Sequence, residues 1–313
     1  MRNAFAQEIT RLGAEDQRVV LLSGDIGNKL FDDFKDACPG RFFNCGISEA
    51  NMMGMAAGMA MNGLRPVIYT ITPFTTTRCF EQIRVDVCYH HAPVMIVGTG
   101  SGLSYAELGA THHSCEDMAI LRTLPGMTVF APCDSTELRL GMKAALQAEG
   151  PVYMRIGKKG EPKIHPALSE LELGRAITVR EGSDICLVNA GTVMPETLGA
   201  ADKLAEHGLS VRVESFHTVK PLDRERLEEI FGSVRLVASV EEHSRIGGLG
   251  GAVAEWLAPR RVSGSARFLS LGVDDVFMHD VGTQDYARTI FGLKADSIAE
   301  SVHRAWLEGN SAG

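Results

Sequence analysis

The chain has 313 residues, 45% hydrophobic and 22% charged, the profile of a globular protein with room for two domains. A net charge of −8 with no basic run excludes nucleic acid as the main partner, and no apolar stretch is long and glycine-poor enough to span a bilayer. The first residues, Met1 to Glu8, lack the apolar core of a signal peptide, and seven cysteines without a CxxC pair point to free thiols in a reducing cytoplasm, against a disulfide framework or a zinc site.

Residues 2–16 read as a helix, and Arg18 to Asp25 as a buried strand ending in a Gly-Asp loop. A short helix over 31–37 stops at Cys38-Pro-Gly40, and Phe42 to Cys45 is a second strand. Ser48 then stands as N-cap of a helix led by Glu49. Met52, Met53, Ala56, Met59 and Ala60 recur on it at helical spacing. Gly54 and Gly58, four apart, leave room for another backbone. Strands follow over 65–72, 93–98, 127–131 and 151–156, with helices over 74–89, 115–124 and 135–147, the last capped by Asp134 or Ser135. Apolar strands alternating with helices mean a parallel sheet covered on both faces.

The rhythm breaks after residue 156, where glycines, prolines and lysines read as a linker. A second unit begins at residue 174. It has strands over 184–190, 209–216, 234–240 and 266–271, and helices over 197–207, 224–231, after Gly247, after Thr283 and after Ser297. The fold class is α/β with two doubly wound domains. The first spans residues 1–158, a linker 159–173, and the second 174–313.

Ligands of parallel sheets bind beyond the carboxyl ends of the strands. Four loops of the first unit lie there, around Asp25, Glu49, residues 72–74 and residues 98–113. The last is long for a compact domain, and long loops with mixed polar and aromatic residues are commonly functional. Its Gly98-Thr-Gly-Ser-Gly102 run follows a strand, but no helix follows at once, so it does not form a dinucleotide fingerprint. Gly247-Gly-Leu-Gly-Gly251 opens a helix and suits either an anion or close packing.

Several motifs in order carry a resemblance. Gly46-Ile-Ser-Glu-Ala-Asn51, leading a helix rich in Gly and Ala, resembles the pyrimidine-binding domain of thiamine diphosphate enzymes. Gly109-Ala-Thr-His-His113, with Glu116-Asp117 and Leu121-Arg-Thr-Leu-Pro-Gly-Met-Thr-Val129, resembles transketolases and deoxyxylulose phosphate synthases. Phe80-Glu-Gln-Ile-Arg84 and Ala131-Pro-Cys-Asp-Ser135 are similar to further segments. Lys220-Pro-Leu-Asp223, Val240-Glu-Glu-His243 and Gly247-Gly-Leu-Gly250 resemble the transketolase C-terminal domain. The likeness runs over residues 1–300. The family's Gly-Asp-Gly diphosphate and Mg²⁺ motif is matched only loosely by Gly24-Asp-Ile-Gly-Asn28. The resemblance therefore implies the C-terminal subunit of a split transketolase. A partner N-terminal subunit would hold the diphosphate and Mg²⁺, in an α2β2 assembly, and this chain would bind no metal itself.

The resemblance assigns Glu49 to the acid at N1′ of the cofactor pyrimidine, and His112 to proton transfer beside the reacting atoms. It places Phe74 and Phe80 against the pyrimidine and Asp25 at the cofactor-binding subunit interface. It gives Arg155 to the substrate phosphate and His113 to the substrate. Glu107 and Tyr105 are left to read the sugar, because family residues that contact its hydroxyls are replaced by Gly100 and Leu108. Core packing for Phe80, a helix-capping role for His113 and a salt bridge for Arg155 are the plain alternatives, and Lys158 and Lys159 are expected in solvent. The implied reaction is transfer of a two-carbon ketol unit from a ketose to an aldose, with phosphorylated sugars as the natural substrates. Two other readings share the layout: the beta subunit of a 2-oxoacid dehydrogenase complex and a non-catalytic assembly subunit. The Thr111-His112 pair favours the first of the three.

Overall fold

The computed structural model describes residues 1–158, 160–259 and 266–310. Lys159 of the predicted linker, and residues 260–265 and 311–313 of the second predicted unit, lie outside the described residues. Twelve strands are described: β1 Val19–Ser23, β2 Phe42–Asn44, β3 Arg65–Ile71, β4 Met95–Thr99, β5 Thr128–Phe130, β6 Val152–Ile156, β7 Ile177–Arg180, β8 Ile185–Ala190, β9 Val211–Ser215, β10 Thr218–Lys220, β11 Leu236–Ser244 and β12 Arg267–Val273.

They form two sheets. The first runs β10-β5-β6-β4-β3-β1-β2 and the second β12-β11-β8-β9-β7. β1 to β6 pair parallel throughout. Strands β1, β4 and β6 are buried along their whole length, because helices cover both faces of a parallel sheet. On one face Phe5, Ile9 and Leu12 of the N-terminal helix meet Leu138 and Met142. On the other, Met52, Met53 and Ala56 of the helix Glu49–Met61 pack on Leu22, Ile68 and Ile96. That second cluster continues without a break into Phe216, Phe231, Val237 and Trp256 of the second unit.

Two short strands escape a reading of pattern. β7 lies at the edge of the second sheet, antiparallel to β9. β10 crosses from the second unit to the edge of the first sheet, where it pairs antiparallel with β5. With four and three residues, neither is long enough to show an alternating pattern. The expected helix over 74–89 is broken into a turn at Thr72–Thr75, a tight turn at Thr77–Cys79 and a wide-wound segment at Ile83–Tyr89. Its break is at Thr76, with φ −111° and ψ −81°. There the Thr76 hydroxyl donates to the Thr72 carbonyl and the Cys79 thiol to that of Thr75, both alternatives to a helical ladder. Asp134 caps the helix Ser135–Gln147, accepting from the N–H groups of Thr136 and Glu137. Ser48 occupies the N-cap position of the helix Glu49–Met61, but its side chain makes no capping bond.

The Glu241-Glu-His243 run at the end of β11 joins the units. Glu241 accepts from the N–H groups of Leu249 (2.7 Å) and Gly250 (2.8 Å). The positive end of the Leu249–Leu257 helix is thus filled from within the chain, which removes the anion reading of its glycines. Glu242 accepts from Leu103 N–H of the first unit at 2.8 Å and from Gln284 and Arg288 of the second at 2.8 and 2.5 Å. His243 accepts at Nε2 from Ala119 N–H (3.3 Å), and its Nδ1–H donates to the Ser244 carbonyl (2.7 Å).

His243 therefore folds in as a neutral ring, and burial pushes its pKa down to about 4 from an ordinary 6.5. In the window between those values the unfolded chain binds a proton that the folded chain refuses. Stability is thus complete above about pH 6.5 and falls as pH drops toward 4, by about 3 kcal/mol at most. The change in stability between pH 7 and pH 5, measured by urea unfolding, should be less favourable in the wild type than in His243→Gln by this amount. Equal losses would contradict it.

Candidate active site

The carboxyl ends of β1, β3, β4 and β6 open on one edge of the first sheet, and the loops that follow them meet there. Glu49, at the start of its helix, is only 3% exposed. Its Oε1 accepts from Arg78 Nη1 at 2.8 Å. The Arg78 guanidinium also lies 4.1 Å from the centre of the Phe74 ring, close enough for a cation–π contact. Phe74 in turn meets the His112 ring edge-on at 5.2 Å, and His112 meets Tyr105 at 5.8 Å. Lys158 stands over Tyr105 at 4.3 Å and pairs with Glu107 at 2.6 Å. Five of the predicted residues, Glu49, Phe74, His112, Tyr105 and Glu107, thus form one continuous row with Arg78 and Lys158.

His112 rides on a loop closed at its base. Gly102 and Ser114 exchange two backbone hydrogen bonds, of 3.1 and 2.9 Å. Gly102 has a φ of +61°, and a Cβ there would lie 2.6 Å from the Glu242 carbonyl, so the loop lies directly on the second unit only because the residue is glycine. Gly100 serves a second close approach: a Cβ there would fall 1.9 Å from the Tyr105 ring. The Tyr105 ring therefore stands where a larger residue at position 100 would be. Burial, then the charges of His113 and Arg78, hold His112 below the ordinary imidazole value. Its ring is accordingly neutral near pH 7 and can accept a proton. Its Nδ1 lies 2.9 Å from the Thr111 hydroxyl, which orients the ring.

The remaining predicted residues fall elsewhere. Asp25, in the left-handed region at φ +55°, is exposed at the end of β1 and accepts from the Asn44 amide at 2.9 Å. It braces the turn before Glu49. Phe80 packs against the first-unit core, as the plain alternative has it. His113 is buried and turned from the row. Its Nε2–H donates to the Ala106 carbonyl at 3.3 Å, and it lines a cavity of about 330 Å³ against Val273, Phe277 and Phe291 of the second unit.

Arg155 corrects the expectation most clearly. It is 1% exposed, so no substrate phosphate reaches it. Its Nε donates to Asp117 Oδ2 at 2.8 Å, and its Nη2 to the carbonyls of Ser114 (3.0 Å) and Glu242 (2.8 Å). The Tyr153 hydroxyl donates to the same Asp117 oxygen at 2.5 Å. Burial opposes the Asp117 charge, yet the Arg155 charge and these hydrogen bonds hold its carboxyl below the usual range. Arg155 and Asp117 are a structural joint: the plain alternative of a salt bridge holds, with Asp117 as the partner and not the linker.

Four contributors were missed. Arg78 had a signal, since residues 66–77 carry no charge and Arg78 ends that run. Lys158, expected in solvent, covers Tyr105 instead. Arg2 and Lys29 line a cavity of about 240 Å³ with Asn28, Tyr69, Thr99 and Tyr105, and Arg2 Nε is buried there without a hydrogen-bond partner. Only the folded sheet edge brings residue 2 to residue 105.

Replacing Arg155 by Met should leave Asp117 as an unpaired buried charge and destabilise the protein by about 3–5 kcal/mol. Urea unfolding measures this, and a loss under about 1 kcal/mol, the scale of an exposed pair, would contradict the buried joint.

Comparison with known proteins agrees with this architecture. Residues 1–162 match the transketolase pyrimidine-binding domain, and residues 174–298 the transketolase C-terminal domain. The chain is 36% identical over 304 residues to a 6-deoxy-6-sulfo-D-fructose transketolase subunit of Clostridium sp. (strain MSTE9), covering 97% of this chain and 93% of that one. It is 35% identical over 303 residues to one of the subunits of an apulose-4-phosphate transketolase from Phocaeicola vulgatus, covering 96% of each. A solved split-gene transketolase, described as an inactive beta4 tetramer, superposes with a TM-score of 0.90 at 37% identity over 98% of each chain. The chain belongs to the transketolase family, as a split-gene subunit that carries the pyrimidine-binding and C-terminal domains.

Proposed function

We propose that this subunit holds the pyrimidine half of thiamine diphosphate and the ketose and aldose substrates of a two-carbon ketol transfer. A partner subunit supplies the diphosphate and Mg²⁺ half. The observation that carries this reading is Glu49, a nearly buried carboxylate that ends in a row of Phe74, His112 and Tyr105 at the open sheet edge.

The residues fit a pyrimidine. Gly24 keeps the floor beside Glu49 clear, since a Cβ there would lie 3.5 Å from Glu49 Cγ and 3.1 Å from Thr70 Oγ1. Thr70 Oγ1 is itself buried without a hydrogen-bond partner. Bound thiamine diphosphate supplies the carbon nucleophile and electron sink for cleaving a bond next to a carbonyl. Glu49 holds a proton at N1′ of the pyrimidine. For this Arg78 leaves its bond to Glu49, and its half-exposed side chain, stacked on Phe74, has solvent to move into. Phe74 offers a ring face, and neutral His112 takes or returns a proton at the substrate oxygens. Asp25, at the same edge, contributes to the face that meets the partner.

With Arg155 buried, the anionic end of a sugar is assigned to the cavity of Arg2 and Lys29, whose lining residues include no acid. Arginine suits bidentate binding of phosphate or sulfonate oxygens. The relatives' named substrates, a sulfo sugar and a sugar phosphate, carry such groups. The close donor group among the described residues, Cys133 with Glu137 and His165, presents one sulfur and one nitrogen beside a single carboxylate, not the all-oxygen set Mg²⁺ requires. This supports placing the Mg²⁺ site on the partner.

An α2β2 assembly fits the surface around the Glu49 helix. Ile47 is 77% exposed, and a Cβ on Gly58 would meet nothing within 4 Å. Of the room expected for another backbone beside that helix, the part at Gly54 is met by Asp86 of this chain and the part at Gly58 stays open. The description of the solved split-gene beta4 tetramer as inactive supports the need for a second kind of chain. We also propose residues 1–158 and 174–313 as the two domains, with 159–173 between them, in the cytoplasm. No observation favours the 2-oxoacid dehydrogenase reading.

The test mixes this chain with its candidate partner, thiamine diphosphate, Mg²⁺ and ketoses and aldoses with and without a terminal phosphate or sulfonate. Ketol transfer should appear, and Glu49→Ala should lower kcat by about 10²–10⁴. Arg2→Ala should raise KM for the anionic sugars alone. Transfer at a near wild-type rate in Glu49→Ala would overturn the mechanism.

A further inference from the structure

Beyond the carboxyl end of β5, three segments meet in a buried cluster of metal-ligating groups. Cys133 ends the loop after β5, Glu137 stands in the first turn of the helix it leads to, and His165 comes from the segment between the sheets. One ligand atom from each lies within 4.8 Å of the others, and all three residues are buried. We propose that Cys133, Glu137 and His165 form a structural Zn²⁺ site that fastens the segment between the two sheets to the first unit.

The donor set is the first reason. Zn²⁺ takes thiolate, imidazole and carboxylate ligands in tetrahedral sites, with bonds of about 2.0–2.3 Å. Tetrahedral edges of about 3.3–3.8 Å follow from those bond lengths, so donors already this close need to move by only about 1 Å. A sulfur ligand disfavours Mg²⁺ and Ca²⁺.

The second reason is that the ligands are positioned independently of any ion. Asp134 accepts from the N–H groups of Ile164 and His165 at 2.7 and 2.9 Å through one oxygen, and from Thr136 and Glu137 through the other. That carboxylate fixes the backbone of two ligands at once. Glu137 Oε2 accepts from Cys133 N–H at 2.7 Å, and its Oε1 lies 2.9 Å from His165 Nε2. The carboxylate is therefore already aimed between the other two ligands.

The third reason is charge. A Zn²⁺ ion with one thiolate, one carboxylate, one neutral imidazole and a water in the fourth position carries no net charge, which suits a buried site. Cys133 binds as thiolate, and its proton leaves to solvent. The absence of a CxxC pair, which argued against zinc in the sequence, does not bear on a site whose ligands come from three separate segments.

The full-length chain, expressed without a histidine tag in zinc-supplemented medium, is analysed for metal and then refolded with Co²⁺. The expected result is about one Zn²⁺ per chain, together with a near-ultraviolet thiolate-to-cobalt band. That band should be lost in Cys133→Ser and retained in Cys186→Ser. His165→Gln leaves the Asp134 bonds to the backbone in place, so it should fold and still lose the metal. Absence of zinc together with no cobalt band, or a band that survives both Cys133→Ser and His165→Gln, would overturn the site.

Discussion

The structure turns on a guanidinium that never meets solvent. Arg155 donates to a carboxylate on the helix Asp117–Arg122, to the base of the His112 loop and to the end of β11 in the other unit. An isolated buried charge would be prohibitive, and the pair is tolerable only because each polar group around it is engaged. Once it is, the sheet edge, the loop and the second unit have one relative position. Glu242 reinforces this from the other side, taking the Leu103 N–H, Gln284 and Arg288 together.

That joint matters chemically because His112 sits on a long loop. A free loop would lose considerable entropy in presenting one imidazole to a substrate. Here the loop is closed by Gly102 and Ser114, laid on Glu242, and weighted by Lys158 over Tyr105. The geometry is set before any ligand arrives, which is the condition for effective positioning. Glu49 differs in kind: its own oxygen is occupied by Arg78, and under the function proposed above a pyrimidine takes the place of that arginine.

Much of this was legible in the residues and some of it could not be. The strands and the Glu49 helix announced themselves through apolar runs and helical spacing, because burial on both faces leaves a strong pattern. That Glu49, Phe74 and His112 come together was legible because motif order placed them in successive loops at one sheet edge. Arg155 was misassigned because a strand-ending arginine looks the same in sequence whether it faces solvent or an Asp117 thirty-eight residues away. His113 and Phe80 turned inward for the same reason: neighbours along the chain need not share a direction. β10 was invisible because its partner, β5, is remote in sequence, and Arg2 because only the folded sheet brings residue 2 beside Tyr105.

The central claim is that this chain holds half of a cofactor site. The most direct measurement is calorimetric titration of thiamine diphosphate with Mg²⁺ into three samples: this chain, its partner, and their equimolar mixture. Saturable tight binding in the mixture, and none of comparable affinity in this chain alone, is the result the account predicts. Full-affinity binding by this chain alone would contradict it.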